Sequence, residues 1–64
     1  MEMFFIQDYF GCLIGSPHTK QEMEEMQRLD HRLRFCRIEG RDKGAIVAKA
    51  NNHNTLIKQD LTNK

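Results

Sequence analysis

The chain has 64 residues, of which 39% are hydrophobic and 30% are charged, and its formal net charge is +1. This length and composition predict one small globular domain over residues 1–64 and exclude a disordered tail. No apolar run approaches the ~20 residues that cross a bilayer, so no membrane partner is expected.

The first residues lack the features of a signal peptide, because Glu2 stands where a basic residue is expected. We therefore expect a cytoplasmic protein. In that compartment Cys12 and Cys36 stay reduced, and both are expected to be thiols of the core.

The charges are distributed unevenly along the chain. Residues 1–27 carry five acidic side chains and one basic one, whereas residues 28–49 carry seven basic and three acidic ones. This distribution predicts a molecule with a basic end that can meet an acidic partner.

Residues 1–15 are rich in aromatic and β-branched side chains, which favours an N-terminal strand or hairpin. The apolar residues of one parity are predicted to form the inward face: Phe4, Ile6, Phe10, Cys12 and Ile14. Either a turn at Gln7-Asp8 splits this segment into two strands, or Asp8 lies at a bulge. Because Phe5, Tyr9 and Leu13 lie four apart, a helix through Gly11 is the alternative.

Residues 20–34 are predicted to form the central helix of the domain. Thr19 and Glu22 have the spacing of a capping box, which begins a helix near Lys20. Four residues form the apolar stripe on which the flanking segments would pack: Met23, Met26, Leu29 and Leu33.

The second half of the chain allows two interpretations. Alternation over residues 35–39, a turn over 40–44 and residues 45–50 favour a second hairpin at 35–49. The polar residues 51–54 then form a loop, and Asn54 caps a short helix carrying Leu56, Ile57 and Leu61. The alternative is that Asp42 caps a helix ending at Asn51.

The first interpretation gives an α+β fold with an N-terminal strand or hairpin, a central helix, a second hairpin and a short C-terminal helix. The second gives a mostly α fold with a helix-turn-helix in residues 42–61.

No metal, cofactor or catalytic site is expected. Cys12, His18, His31 and Cys36 have the spacing C-x5-H-x12-H-x4-C, but the two histidines would stand roughly 20 Å apart along one helix. Both cysteines lie among apolar neighbours, which predicts inert thiols. The glycines form no phosphate-binding loop, so the chain is not expected to be an enzyme.

The remaining classes are binding proteins. The aromatic residues of segment 1–15 occupy both parities, so Phe5 and Tyr9 are predicted to contact a partner, with Phe5 packing under the C-terminal helix as the alternative. Basic contacts are predicted at Arg32, Arg34, Arg37, Arg41 and Lys43. We expect a small non-enzymatic regulatory or inhibitory protein that binds another protein and, given its size, forms a homodimer. The alternative is a nucleic-acid-binding protein that uses residues 28–49 or a helix-turn-helix in 45–61.

Overall fold

The computed structural model of the chain describes residues 1–62, and it describes the side-chain burial of residues 1–60. It contains a three-stranded antiparallel sheet and two helices. The elements in chain order are β1 (Glu2–Gln7), β2 (Leu13–His18), α1 (Lys20–Leu29), β3 (Arg34–Glu39) and α2 (Lys43–Thr62). The predicted α+β class is confirmed.

The β1–β2 hairpin is the N-terminal hairpin that the sequence predicted. β2 nevertheless continues through Pro17 to His18, beyond the residues 1–15 for which strand structure was predicted. Pro17 is tolerated because β2 is an edge strand of the order β2-β1-β3. Gly15 has a φ of +76°, and the register of the hairpin shifts between Phe4 and Ile6, so a bulge accommodates this segment.

β3 pairs with the central strand β1, and within residues 40–62 no returning strand follows it. The register runs from Glu2 opposite Glu39 to Gln7 opposite Arg34. The predicted second hairpin at 35–49 is therefore wrong. Beyond β3 the chain enters α2, and Asp42 Oδ1 accepts a hydrogen bond from the Ala45 N–H at 2.9 Å, as an N-cap residue does.

α2 is one continuous helix, so the alternative helix-turn-helix in residues 42–61 is also wrong. The polar residues 51–54 lie inside this helix and do not form a loop. The side chains of His53 and Asn54 bond to the β1–β2 hairpin, and these contacts offset the low helix propensity of Asn. The predicted packing of Leu61 lies outside the described side chains.

α2 and one face of the sheet form the core. Among residues 1–60, the buried residues of this core are Met3, Phe5, Leu13, Ile46 and Ala50, against which Cys36 and Ile38 pack. The inward face of β1 is thus the one with Met3 and Phe5, and the prediction of Phe4 and Ile6 is wrong. Apolar residues occupy both parities of β1, and the position of α2 decides which of them are buried.

α1 begins as predicted but contributes less to packing than predicted. The capping box of Thr19 and Glu22 is present. The helix ends at Leu29, five residues early, because Asp30 is extended and its Oδ1 accepts a hydrogen bond from the Arg32 N–H. No α1 residue is buried, Leu29 is 83% exposed, and Met23 and Met26 are half-buried outside the core. The core-forming helix is therefore α2.

Within residues 1–62, neither helix has the length and the apolar character needed to cross a membrane.

Candidate functional site

The tip of the β1–β2 hairpin displays two aromatic rings to solvent. Tyr9 is 87% exposed and Phe10 is 61% exposed. Their ring centroids lie 5.4 Å apart in an edge-to-face arrangement, which is a favourable geometry for an aromatic pair. Two adjacent exposed rings on so small a domain mark a candidate contact surface.

The turn that carries these rings is held by its own hydrogen bonds. Asp8 Oδ1 accepts from the N–H groups of Phe10 and Cys12, at 2.9 Å each. The backbone N–H of Asp8 donates to the Cys12 carbonyl, and the Gly11 N–H donates to the Asp8 carbonyl. Gly11 closes the turn with a φ of +92°, a conformation that favours glycine.

α2 fixes the same turn from the other side. The Gly11 carbonyl accepts from Gln7 Nε2 at 3.3 Å and from His53 Nε2 at 3.0 Å. Because a carbonyl only accepts, Nε2 of His53 must carry the proton. The Asn54 amide accepts from the Leu13 N–H at 2.6 Å and donates to the Leu13 carbonyl at 2.8 Å. Tyr9 and Phe10 are therefore presented by an anchored turn.

A shallow groove of about 500 Å³ lies between the hairpin tip and the second half of α2. Its lining residues are Phe10, His53, Leu56, Ile57 and Asp60. Leu56 is 58% exposed, which extends the apolar surface of the two rings. We call this surface, formed by Tyr9, Phe10 and the groove, the hairpin end.

The two aromatic residues predicted to contact a partner have different surroundings. Tyr9 is exposed, at the hairpin end. Phe5 is only 3% exposed and belongs to the core with Ile46 and Ala50, so its ring is not available to a partner of the folded chain. Phe5 thus packs under the C-terminal helix, which was the alternative, because its parity on β1 faces α2.

The predicted basic residues are spread along β3 and do not form one patch. Arg34 is opposite Gln7 at the end of the sheet nearest the hairpin tip, and Arg32 precedes it. Arg37 is in the middle, within 3.3 Å of a Glu2 carboxylate oxygen and 3.4 Å of a Glu39 oxygen. Arg41 and Lys43 follow β3 at the far end.

Arg41 lines a second groove, of about 650 Å³, at that far end. Its charged residues have both signs, since Glu2, Glu39 and Lys49 line it together with Arg41. The basic segment of the sequence is therefore partly neutralised in the fold by Glu2 and Glu39.

The four residues weighed as zinc ligands lie on different elements. Cys12 is in the hairpin turn, His18 ends β2, His31 follows α1, and Cys36 is in the middle of β3. Within the described part of the chain, no three His, Cys, Asp or Glu side chains are grouped so that they could hold a metal ion.

One carboxyl group has a clearly perturbed pKa. Glu22 Oε1 accepts from the Thr19 N–H at 2.9 Å, and this hydrogen bond lowers the pKa of Glu22 below its usual value. The nearby His18 ring, with Nδ1 3.9 Å from the same oxygen, acts in the same direction. The perturbation belongs to the cap of α1 and stabilises the helix start.

Several residues of the hairpin end were missed in the sequence. Phe10 was assigned to the inward face because strand parity was extended through the turn, and His53 was assigned to a loop. A signal for the turn was present, since Asp8-Tyr9-Phe10-Gly11 has Asp at the first position and Gly at the fourth, as type I turns prefer. Reading that turn would have predicted both rings at its exposed centre.

Comparison of the chain with protein-family models, curated proteins and solved structures found no match. The geometry of the hairpin end is therefore the observation on which a function can rest.

Proposed function

We propose that this chain is a small non-enzymatic regulatory or inhibitory protein that binds another protein through its hairpin end. The observation that supports this role is the pair of exposed rings of Tyr9 and Phe10 on a hydrogen-bonded turn. Aromatic side chains are enriched at the centre of protein interfaces, where they contribute much of the binding energy.

The anchored turn favours binding for an energetic reason. Burying apolar surface contributes roughly 25 cal/mol per Å², but ordering a mobile loop on binding offsets that gain. Here Asp8, His53 and Asn54 already hold the turn in one conformation. The rings can therefore dock without a large loss of backbone freedom.

The chemistry of the hairpin end indicates what the partner offers. Tyr9 and Phe10 project outward and fit an apolar pocket of the partner, while the groove beside Leu56 and Ile57 accepts an apolar side chain in return. Arg34, at the nearby end of β3, favours a partner with an acidic rim. We place this role in the cytoplasm, where the two free thiols remain reduced.

Affinity capture with immobilised protein tests the proposal. Wild-type protein should retain a partner from a lysate of the cells that make it, and the double variant Tyr9→Ser, Phe10→Ser should lose that partner at least tenfold in yield. Removal of two exposed rings leaves the core unchanged, so circular dichroism and thermal unfolding should match the wild type.

Leu29→Ser is the matched control, because Leu29 is also a large exposed apolar residue but lies at the end of α1. This variant should capture the same partner as the wild type. The proposal fails if the wild type captures no specific protein, or if the double variant captures the same proteins in the same amounts.

A further inference from the structure

The two edge strands of the sheet differ in how their outward backbone groups are bonded. In an antiparallel ladder, the N–H and C=O groups of alternate residues point toward and away from the neighbouring strand. The Gly40 N–H donates to the Met1 carbonyl at 2.9 Å, one step beyond the pair of Glu2 and Glu39. Since Gly40 bonds toward β1, every second residue before it does so as well, namely Ile38, Cys36 and Arg34. The N–H and C=O groups of the alternate residues Glu39, Arg37, Phe35 and Leu33 point away from β1.

Both ends of the outward edge of β3 are already bonded. The Leu33 N–H donates to the Asp30 carbonyl at 3.2 Å, and Lys49 Nζ donates to the Glu39 carbonyl at 2.6 Å. Among residues 1–62, the outward groups of Phe35 and Arg37 receive only a long contact, from Cys36 Sγ to the Arg37 carbonyl at 3.9 Å. A window centred on Cys36 is therefore open for pairing.

The opposite edge, β2, is bonded at the hairpin end, at Leu13, which pairs with Gln7, and Pro17 in the same strand has no N–H to donate. The Asn54 side chain bonds both the N–H and the C=O of Leu13 and so replaces a neighbouring strand there. The chain thus covers part of one edge and leaves the centre of the other edge unbonded.

We propose that β3 pairs with β3 of a second copy of this chain, antiparallel and centred on Cys36, to give a continuous six-stranded sheet. This inference goes beyond the proposed function, since it concerns the outer edge of β3 and not the hairpin end. In such a two-fold pair, Phe35 faces the partner's Arg37 and Arg37 faces the partner's Phe35. Each pair exchanges two backbone hydrogen bonds, which uses every open outward group of the window.

Neighbouring registers are less favourable. A register shifted toward the start of β3 would pair Leu33 with the partner's Arg37, but the Leu33 N–H is already bonded. A register shifted toward the end of β3 would pair Phe35 with the partner's Glu39, whose carbonyl is already bonded by Lys49. That second register would also place Arg37 opposite the partner's Arg37, which is a repulsive pair. The Cys36-centred register instead places each guanidinium beside a phenyl ring, a cation–π arrangement. Glu2 and Glu39 partly neutralise Arg37, which reduces repulsion across the pair.

The register also places Cys36 opposite the partner's Cys36. This is a pair without hydrogen bonds between its own residues, in which Cα atoms lie about 4.5 Å apart. That separation falls in the range that a disulfide spans. Cys36 Sγ already leans toward the outward carbonyl of Arg37, so the thiol is on the side where a partner would lie.

The first test is the mass of the purified protein in solution by sedimentation equilibrium. The wild type should approach twice the chain mass of 7.6 kDa at micromolar concentration. Arg37→Pro removes the outward N–H and should weaken dimerisation at least tenfold. Arg37→Ala is the control, because it loses the same guanidinium but keeps the N–H. It should therefore dimerise more strongly than the Pro variant. Circular dichroism of both variants reports that the fold is retained.

The second test traps the pair covalently with diamide, an azo oxidant. Two Cys36 thiols give up two protons and two electrons, one S–S bond forms, and diamide is reduced to the hydrazine. Cys12→Ser protein should cross-link to a dimer, and Cys36→Ser protein should not. The proposal is overturned if the wild type stays monomeric at micromolar concentration. It is also overturned if the dimer is as tight in Arg37→Pro as in Arg37→Ala, or if cross-linking through Cys12 equals cross-linking through Cys36. Loss of dimerisation leaves partner capture by the hairpin end untouched, so the two proposals fail separately.

Discussion

Asn54 is a single side chain that joins the two halves of the chain. Its amide accepts from the Leu13 N–H and donates to the Leu13 carbonyl, so two backbone groups of an edge strand are bonded by one residue of α2. The residue pair is 41 positions apart in sequence, which no local pattern can reveal. The same contact explains why an Asn is kept within a helix although its helix propensity is low.

We predict that Asn54→Ala lowers the free energy of unfolding by about 1–3 kcal/mol, because the partly buried N–H and C=O of Leu13 lose their partners. Urea denaturation followed by circular dichroism measures this change. Asn52→Ala is the control: Asn52 is exposed on the same helix, and Ala is the better helix former, so that variant should gain a few tenths of a kcal/mol. Equal effects of the two substitutions would contradict the role of Asn54.

A second prediction at this scale concerns Glu22. Its pKa is lowered in the folded chain, first by the hydrogen bond from the Thr19 N–H. The folded state therefore holds the charged carboxylate more strongly than the unfolded state does, and the resulting stabilisation is present above the unfolded pKa. It is lost as the pH falls through the lowered pKa of the folded state.

We therefore expect the difference in stability between wild type and Glu22→Gln to be largest near neutral pH and to shrink below about pH 4.3, the usual pKa of Glu. Thermal unfolding across the acidic range measures it. Glu25→Gln removes one negative charge from the same helix, away from the cap. If both variants show the same dependence on pH, the cap bond is not its source.

At the scale of elements, local signals were predictable and tertiary choices were not. The start of α1 and strand character over residues 35–39 depend on neighbours in sequence, and both agree with the structure. The inward face of β1 depends on where α2 lies, because both of its parities are apolar. At the hairpin end only Tyr9 was predicted to contact a partner, and Phe10 was missed because strand parity was extended through the turn at Asp8–Gly11.

α2 shows why the core-forming helix was missed. Its sheet-facing positions follow a regular helical spacing: Ile46, Lys49, Ala50, His53, Asn54 and Ile57. Three of these six residues are polar and bond to backbone carbonyls or amides of the sheet or hairpin. A hydrophobic pattern does not detect such a stripe, whereas α1 has a clear apolar stripe and buries no residue.

This contrast predicts where the stability of the domain resides. Ile46 is fully buried, so Ile46→Ala should cost about 2–4 kcal/mol, a large share of the total for so small a domain, and Ile46→Val about 0.5–1.5 kcal/mol. Urea denaturation measures both. Leu29→Ala in α1, where the side chain is exposed, should change stability by less than about 0.5 kcal/mol. A cost in α1 equal to that of Ile46→Ala would contradict α2 as the core helix.

At the scale of the whole molecule, the domain is thin. Its Cα atoms span 37 × 29 × 13 Å, and only five hydrophobic residues among those described are buried. A domain of this length buries about 60% of the surface that its unfolded chain exposes, so its stability as a monomer is small. Association through β3 would extend the sheet from three to six strands and would add burial that a single chain lacks.

The dimer therefore predicts a stability that depends on concentration. Because dimerisation binds only folded chains, mass action shifts the unfolding equilibrium, and the urea midpoint of the wild type should rise as the protein concentration increases. The Arg37→Pro variant should show a midpoint nearly independent of concentration, since its edge lacks the N–H that faces the partner's Phe35. Arg37→Ala separates this effect from the loss of the ion pairs with Glu2 and Glu39. A wild-type midpoint constant over a hundredfold range of concentration would show that the edge of β3 stays unpaired in solution.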